Sequence, residues 1–121
     1  MPHIIVTAPN HYTPPIAWRD ILTSLNHVMA GINPSFKLSD CKARVILSND
    51  AVVGDGNPST DHIVIAIEIR IMPGRSNNIV QQVTPSIYHH LSTILGGGPS
   101  PIELTVDIQE LSGPRYSKGI I

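Results

Sequence analysis

Aromatic side chains are scarce in this sequence, with one Trp, one Phe and three Tyr among 121 residues. Recognition of nucleobases or sugars by stacking needs aromatic platforms and is therefore disfavoured. Cysteine is rarer still. The single Cys41 excludes an internal disulfide framework and suits a reducing compartment. An excess of one charge is missing too. Eight basic residues against nine acidic ones give a net charge of −1, which leaves no footprint for nucleic acid or an anionic membrane. No apolar run approaches the ~18 residues of a membrane span, and the start of the chain lacks a charged segment followed by an apolar stretch. These absences predict a soluble, cytoplasmic protein. No metal is expected either, because His89 and His90 point about 100° apart on a helix and have no carboxylate or thiolate at ligand spacing. Gly96-Gly97-Gly98 lacks the Lys-Ser/Thr partner of a phosphate loop and reads as a helix stop.

Ile and Val are abundant, and their spacing carries the architecture. Ile63, Ile65, Ile67, Ile69 and Ile71 alternate with His62, Val64, Ala66, Glu68 and Arg70. The same two-residue period runs through Cys41–Leu47 and through Ile102–Gln109. Each of these strands has one apolar and one mixed face. Helical spacing appears twice, in Trp18, Ile21, Leu22, Leu25, Val28 and Met29, and in Val80, Val83, Ile87, Leu91, Ile94 and Leu95. Thr13-Pro14-Pro15 signals the start of the first helix and Gly31 its end, while Pro85 either kinks the second helix or marks its regular start. His3–Ala8 is echoed at His62–Ile67, so the chain reads as two β-α-β halves, about 1–50 and 61–112, in one domain spanning 1–121. The expected strands lie near 2–8, 39–47, 62–72 and 101–109, and the helices near 14–30 and 77–95. Two helical stripes over one apolar sheet face predict an α+β two-layer sandwich, with both helices on the same side of a four-stranded sheet. The mixed opposite face and the open strand edges predict self-association.

Chemistry enters at the first residues. Pro2 follows Met1 directly, and removal of Met1 would expose a secondary amine at the head of a strand. Such an amine becomes a base near neutral pH when burial and neighbouring cations disfavour its protonated form. A lone proline at position 2 arises by chance in about one chain in twenty, so its weight depends on what surrounds it. Lys42 and Arg44 project from the same strand face. Arg75 lies beside the start of the second helix, where its planar fork and the backbone donors suit a carboxylate. A base flanked by such cations can move a proton on a carboxylated keto-enol substrate, because the cations hold its acid groups and stabilise a dienolate. Glu68 and Asp107 are the acidic residues on the mixed face that could activate water, though surface or interface roles fit them better.

Pro2–Val6, Cys41–Val45, the turn Arg70–Ser76 and Val106–Leu111 together resemble the tautomerase superfamily, specifically the 5-carboxymethyl-2-hydroxymuconate Δ-isomerase family. The resemblance implies a homotrimer of β-α-β-β-α-β, MIF-like subunits and a role in aromatic catabolism. It implies Pro2 as base or proton shuttle, Arg75 as a substrate-binding arginine, and neither cofactor nor metal. Lys42 stands where the family has its other arginine, and Arg44 matches a second basic position. Lysine keeps the charge but loses the bidentate fork, so Lys42 and Arg44 both remain candidates for the second carboxylate anchor. The expected activity is keto-enol isomerisation of an unsaturated dicarboxylic or 2-oxo acid. The alternative is a trimeric ligand-binding or signalling protein of the same fold with little activity, because retained Met1 would turn the amine into an amide.

Overall fold

The alternation and the two stripes become four strands and two helices in a computed structural model that describes residues 1–58 and 61–121. Ser59 and Thr60, in the expected connector between the halves, lie outside the described residues. The strands are β1 (His3–Pro9), β2 (Lys42–Ser48), β3 (Ile63–Ile71) and β4 (Ile102–Glu110), and the helices are α1 (Trp18–Ile32) and α2 (Asn77–Leu95). Sheet order is β2-β1-β3-β4. Each β-α-β half contributes a parallel pair, β1 with β2 and β3 with β4, and the halves join through the antiparallel β1–β3 pair. Register follows the sequence pattern, with Ile4 opposite Ala43 and Ile69, and Ile67 opposite Val106.

Both helices cover one sheet face. Ile4, Val6 and Ala8 of β1 and Ile65, Ile67, Ile69 and Ile71 of β3 are buried with Ile21, Leu25 and Met29 of α1 and Val83, Ile87, Leu91 and Leu95 of α2. Each fully buried aliphatic side chain contributes roughly 1.5–3 kcal/mol relative to exposure. The edge strands are less enclosed, so Val45, Leu104 and Val106 are only partly buried. Across the sheet, His3, Ile5 and Thr7 share the open face with Lys42, Arg44, Glu68 and Arg70.

Three boundaries differ from expectation, each for a local reason. The first helix begins at Trp18 rather than near 14, because a following proline drives Thr13 and Pro14 away from helical angles. The Ala17 carbonyl instead accepts the first bonds, from the Asp20 and Ile21 amides. Gly31 does not end this helix. It continues to Ile32, and Asn33 then turns extended (φ −158°, ψ 143°), the conformation that Pro34 demands of its predecessor. β2 starts at Lys42 rather than 39, because Leu38–Asp40 form a 3-10 turn closed by the Cys41 amide on the Leu38 carbonyl. Pro85 neither starts nor breaks α2, which runs through it from an N-cap at Ser76 whose side chain accepts the Ile79 amide. It does leave the Gln81 carbonyl without its helical donor.

Candidate active site

The parallel pairing of β1 and β2 brings the first residues of the chain against the 3-10 turn and the start of β2. Pro2 is buried, and its carbonyl accepts the Lys42 amide at 3.1 Å. Lys42 itself is exposed, and its ammonium donates to the Asp40 carbonyl oxygen at 3.0 Å. With Met1 in place, the terminal amine lies below its ordinary range. Burial is the main cause, followed by Lys42 and Lys118, while Asp40 and Cys41 act in the opposite sense. His3 is lowered as well, first by burial, then by the terminal amine, Arg44, Lys42 and Arg70. The entrance to β1 is thus a partly desolvated, cation-rich neighbourhood, the setting that keeps an amine neutral and able to accept a proton.

The three cations expected at the site are not placed alike. Lys42 sits beside the terminal amine. Arg44 is two register positions along, opposite Ile5, and acts on His3 rather than directly on the amine. Arg75 reaches in from the β3–α2 turn and is engaged within its own chain. Its Nε donates to Ser35 Oγ at 2.9 Å, one terminal nitrogen to the Ser35 carbonyl at 3.1 Å, and the other to the Met72 carbonyl at 3.2 Å. The guanidinium also lies over the buried Phe36 ring, 4.0 Å from its centroid. Arginine carries five N–H donors, so one remains on each terminal nitrogen, enough for an end-on carboxylate. The terminal amine and Arg75 both act on the Cys41 thiol. Burial pushes that thiol up, and it donates to the Lys37 carbonyl at 3.4 Å.

Other sequence candidates fall elsewhere. Glu68 pairs with Arg70 at 3.2 Å on the open face, opposite Asp107 in register. His90 contacts Ser24 of α1 at 2.8 Å, whereas His89 is exposed. A cavity of about 500 Å3 lies at the other end of the sheet, lined by Thr7, His11, Val52, His62 and Pro101, and includes none of Pro2, Lys42, Arg44 and Arg75. Two contributors near the amine, Lys118 and Asp40, escaped the reading of the sequence. Asp40 had a faint signal as the neighbour of Cys41 and Lys42; Lys118 had none, since only the path of the chain after β4 brings it there.

Comparison with known proteins decides the family. The family described as 5-carboxymethyl-2-hydroxymuconate isomerase matches residues 2–119. The chain belongs to that family. Among solved structures, it is similar to a 5-carboxymethyl-2-hydroxymuconate delta-isomerase at 14% identity, covering 99% of this chain and 88% of that one with a TM-score of 0.87. It is similar to a 5-carboxymethyl-2-hydroxymuconate isomerase from Deinococcus radiodurans R1 at 19% identity, covering 98% and 88%, with a TM-score of 0.85. A fused 4-OT wild-type asymmetric trimer shares the fold at 13% identity, covering 97% and 92%, with a TM-score of 0.69. No curated protein sequence matches this chain. Membership of that family makes this chain an isomerase, and it shares the fold of these solved structures. Among the described residues no helix is long and apolar enough to cross a membrane.

Proposed function

We propose that this chain is a cofactor-independent keto-enol isomerase of an unsaturated dicarboxylic or 2-oxo acid resembling 5-carboxymethyl-2-hydroxymuconate, with Pro2 as its proton-transfer base. The observation that carries the reading is the buried start of β1, where desolvation, Lys42 and Lys118 all push the terminal amine towards its neutral form. Once Met1 is removed, the Pro2 nitrogen is a secondary amine in that neighbourhood. It takes a proton from one end of the conjugated dienol, leaving a dienolate and a protonated proline. The same proton then returns to a carbon of the dienolate, so the amine is regenerated and the double bond has moved. Arg75 holds one carboxylate through its two remaining N–H groups, and Lys42 or Arg44 holds the second. These cations also stabilise the charge that develops in the transition state. The working assembly is a homotrimer, supported by a neighbour of the same fold that is described as a trimer.

One observation favours the alternative of a binding protein with little activity, namely that three of the Arg75 donors are already bonded to Ser35 and Met72. The two readings separate on preparations of known intact mass. An isomerase turns over a 2-hydroxymuconate-type dienol when Met1 is absent and loses that activity when Met1 is retained. Absence of turnover in protein that begins at Pro2 overturns the proposal and leaves the binding role.

A further inference from the structure

The segment that follows β4 crosses the end of the sheet and returns a lysine to the start of the chain. The Leu111 amide donates to the Ile71 carbonyl at 2.8 Å, Gly113 lies beside the Met72 side chain, and the Tyr116 amide closes a turn on the Gly113 carbonyl at 3.2 Å. Lys118 then lies 4.0 Å from a carboxylate oxygen of Asp40. The backbone carbonyl of that same Asp40 holds Lys42. The charged and titratable groups facing the terminal amine therefore come from three places: Asp40, Cys41 and Lys42 from the turn into β2, Lys118 from the returning segment, and His3 from β1 itself. Arg44 and Arg70 act on His3 from the open face. Within this set Asp40 and then Cys41 oppose a neutral amine at Met1, the residue bonded to the Pro2 nitrogen.

We infer that Lys118 is a positioning residue for proton transfer: by pairing with Asp40, it offsets the carboxylate that would otherwise hold the Pro2 amine protonated. The inference rests on the proposed reading of Pro2 as the base. Removing Lys118 takes away a cation that favours the neutral amine and leaves the Asp40 carboxylate without its counter-charge. Removing a cation raises the pKa of a neighbouring amine, and removing an anion lowers it. Lys118→Ala therefore moves the acid limb of the rate profile to higher pH, and Asp40→Asn moves it to lower pH. The Lys118 and Asp40 side chains are 49% and 42% exposed, so the effect is that of a solvent-facing pair. It amounts to about two- to five-fold in kcat/KM on the acid limb, and added salt diminishes it.

The direct test titrates the Pro2 nitrogen by NMR in 15N-proline-labelled protein whose intact mass shows that Met1 is removed. Lys118→Ala raises the midpoint, Lys118→Arg keeps the wild-type midpoint, Asp40→Asn lowers it, and Lys118→Ala shifts it less when Asp40→Asn is already present. In parallel, Lys118→Ala lowers kcat/KM at pH 6 but leaves the alkaline plateau intact. A Lys118→Ala midpoint equal to wild type, or one that Lys118→Arg fails to restore, overturns the inference, as does an equal loss of rate at every pH. If the midpoints move as stated while the wild-type protein turns over no dienol, Lys118 keeps its electrostatic role and the reading of Pro2 as a catalytic base fails instead.

Discussion

Replacing Arg75 by alanine removes two kinds of interaction at once, and the structure separates their magnitudes. Within the chain, the guanidinium makes three hydrogen bonds, to Ser35 Oγ, the Ser35 carbonyl and the Met72 carbonyl, and covers the Phe36 ring. The side chain is half-buried, so each bond is worth about 0.5–1 kcal/mol rather than the larger value of a desolvated charged pair. The ring contact adds about 0.5–1 kcal/mol. Arg75→Ala should thus lower folding stability by about 2–4 kcal/mol, read as a shift in urea midpoint at fixed protein concentration. Ser35→Ala, which deletes only the Oγ acceptor, should cost about 0.5–1 kcal/mol. Catalysis reports the two free N–H groups. If they hold a substrate carboxylate, Arg75→Ala should lower kcat/KM for a dicarboxylic dienol by about 2 kcal/mol or more, roughly thirty-fold, and affect a monocarboxylic analogue far less. Ser35→Ala should leave that selectivity unchanged. Equal losses on both substrates would refute the carboxylate role and leave Arg75 as a clamp on the 33–36 loop. A stability change below about 0.5 kcal/mol would refute the clamp.

Three further outcomes follow from the same geometry. Lys42→Arg restores a bidentate fork beside the terminal amine and should lower KM for the dicarboxylic dienol; a raised KM would show that Arg44 already fills the second anchor. Pro85→Ala returns a donor to the Gln81 carbonyl in the middle of α2 and should raise folding stability by about 2 kcal/mol, seen as a higher urea midpoint, the helical gain less the entropy that proline removes from the unfolded chain. An unchanged midpoint would show that the helix has already adapted to the missing bond. Burial and then His89 hold His90 below its ordinary value of 6.5. The unfolded chain therefore binds that proton more readily, so stability is present above about pH 6.5 and falls as the pH drops below it. His90→Gln should flatten that acid loss in part, with the remaining slope shared by His3 and the terminal amine, which are lowered too; an unaltered slope would remove His90 from the account.

What could be read in advance was whatever depends on local periodicity. The alternation of Ile65, Ile67, Ile69 and Ile71 fixed which face of β3 meets the helices, and all four are buried there. Ser76 and Leu95 bounded α2 correctly because capping and stripe agree. The start of α1 was misplaced because Thr13-Pro14-Pro15 satisfies a helix-start rule and also forbids helical angles before each proline, and the second effect prevails. At the site, Pro2, Lys42 and Arg75 could be nominated by residue type and order, but not their engagements. Arg75 bonds to Ser35 across forty positions, and Asp40 meets Lys118 only through a turn and a segment with no periodicity of their own. Contacts of that range depend on the folded path, which leaves no repeating trace along the chain.

The central claim is that the Pro2 nitrogen moves the proton. Its most direct test is the turnover of a 2-hydroxymuconate-type dienol by Pro2→Ala, compared with wild type in preparations that both lack Met1. In this variant a primary amine replaces a secondary one, with Lys42, Arg44 and Arg75 still present to bind substrate. The account predicts a fall of about 10²–10⁴-fold in kcat, the range typical of a general acid–base group, with KM changed little. Turnover equal to wild type in Pro2→Ala would contradict it.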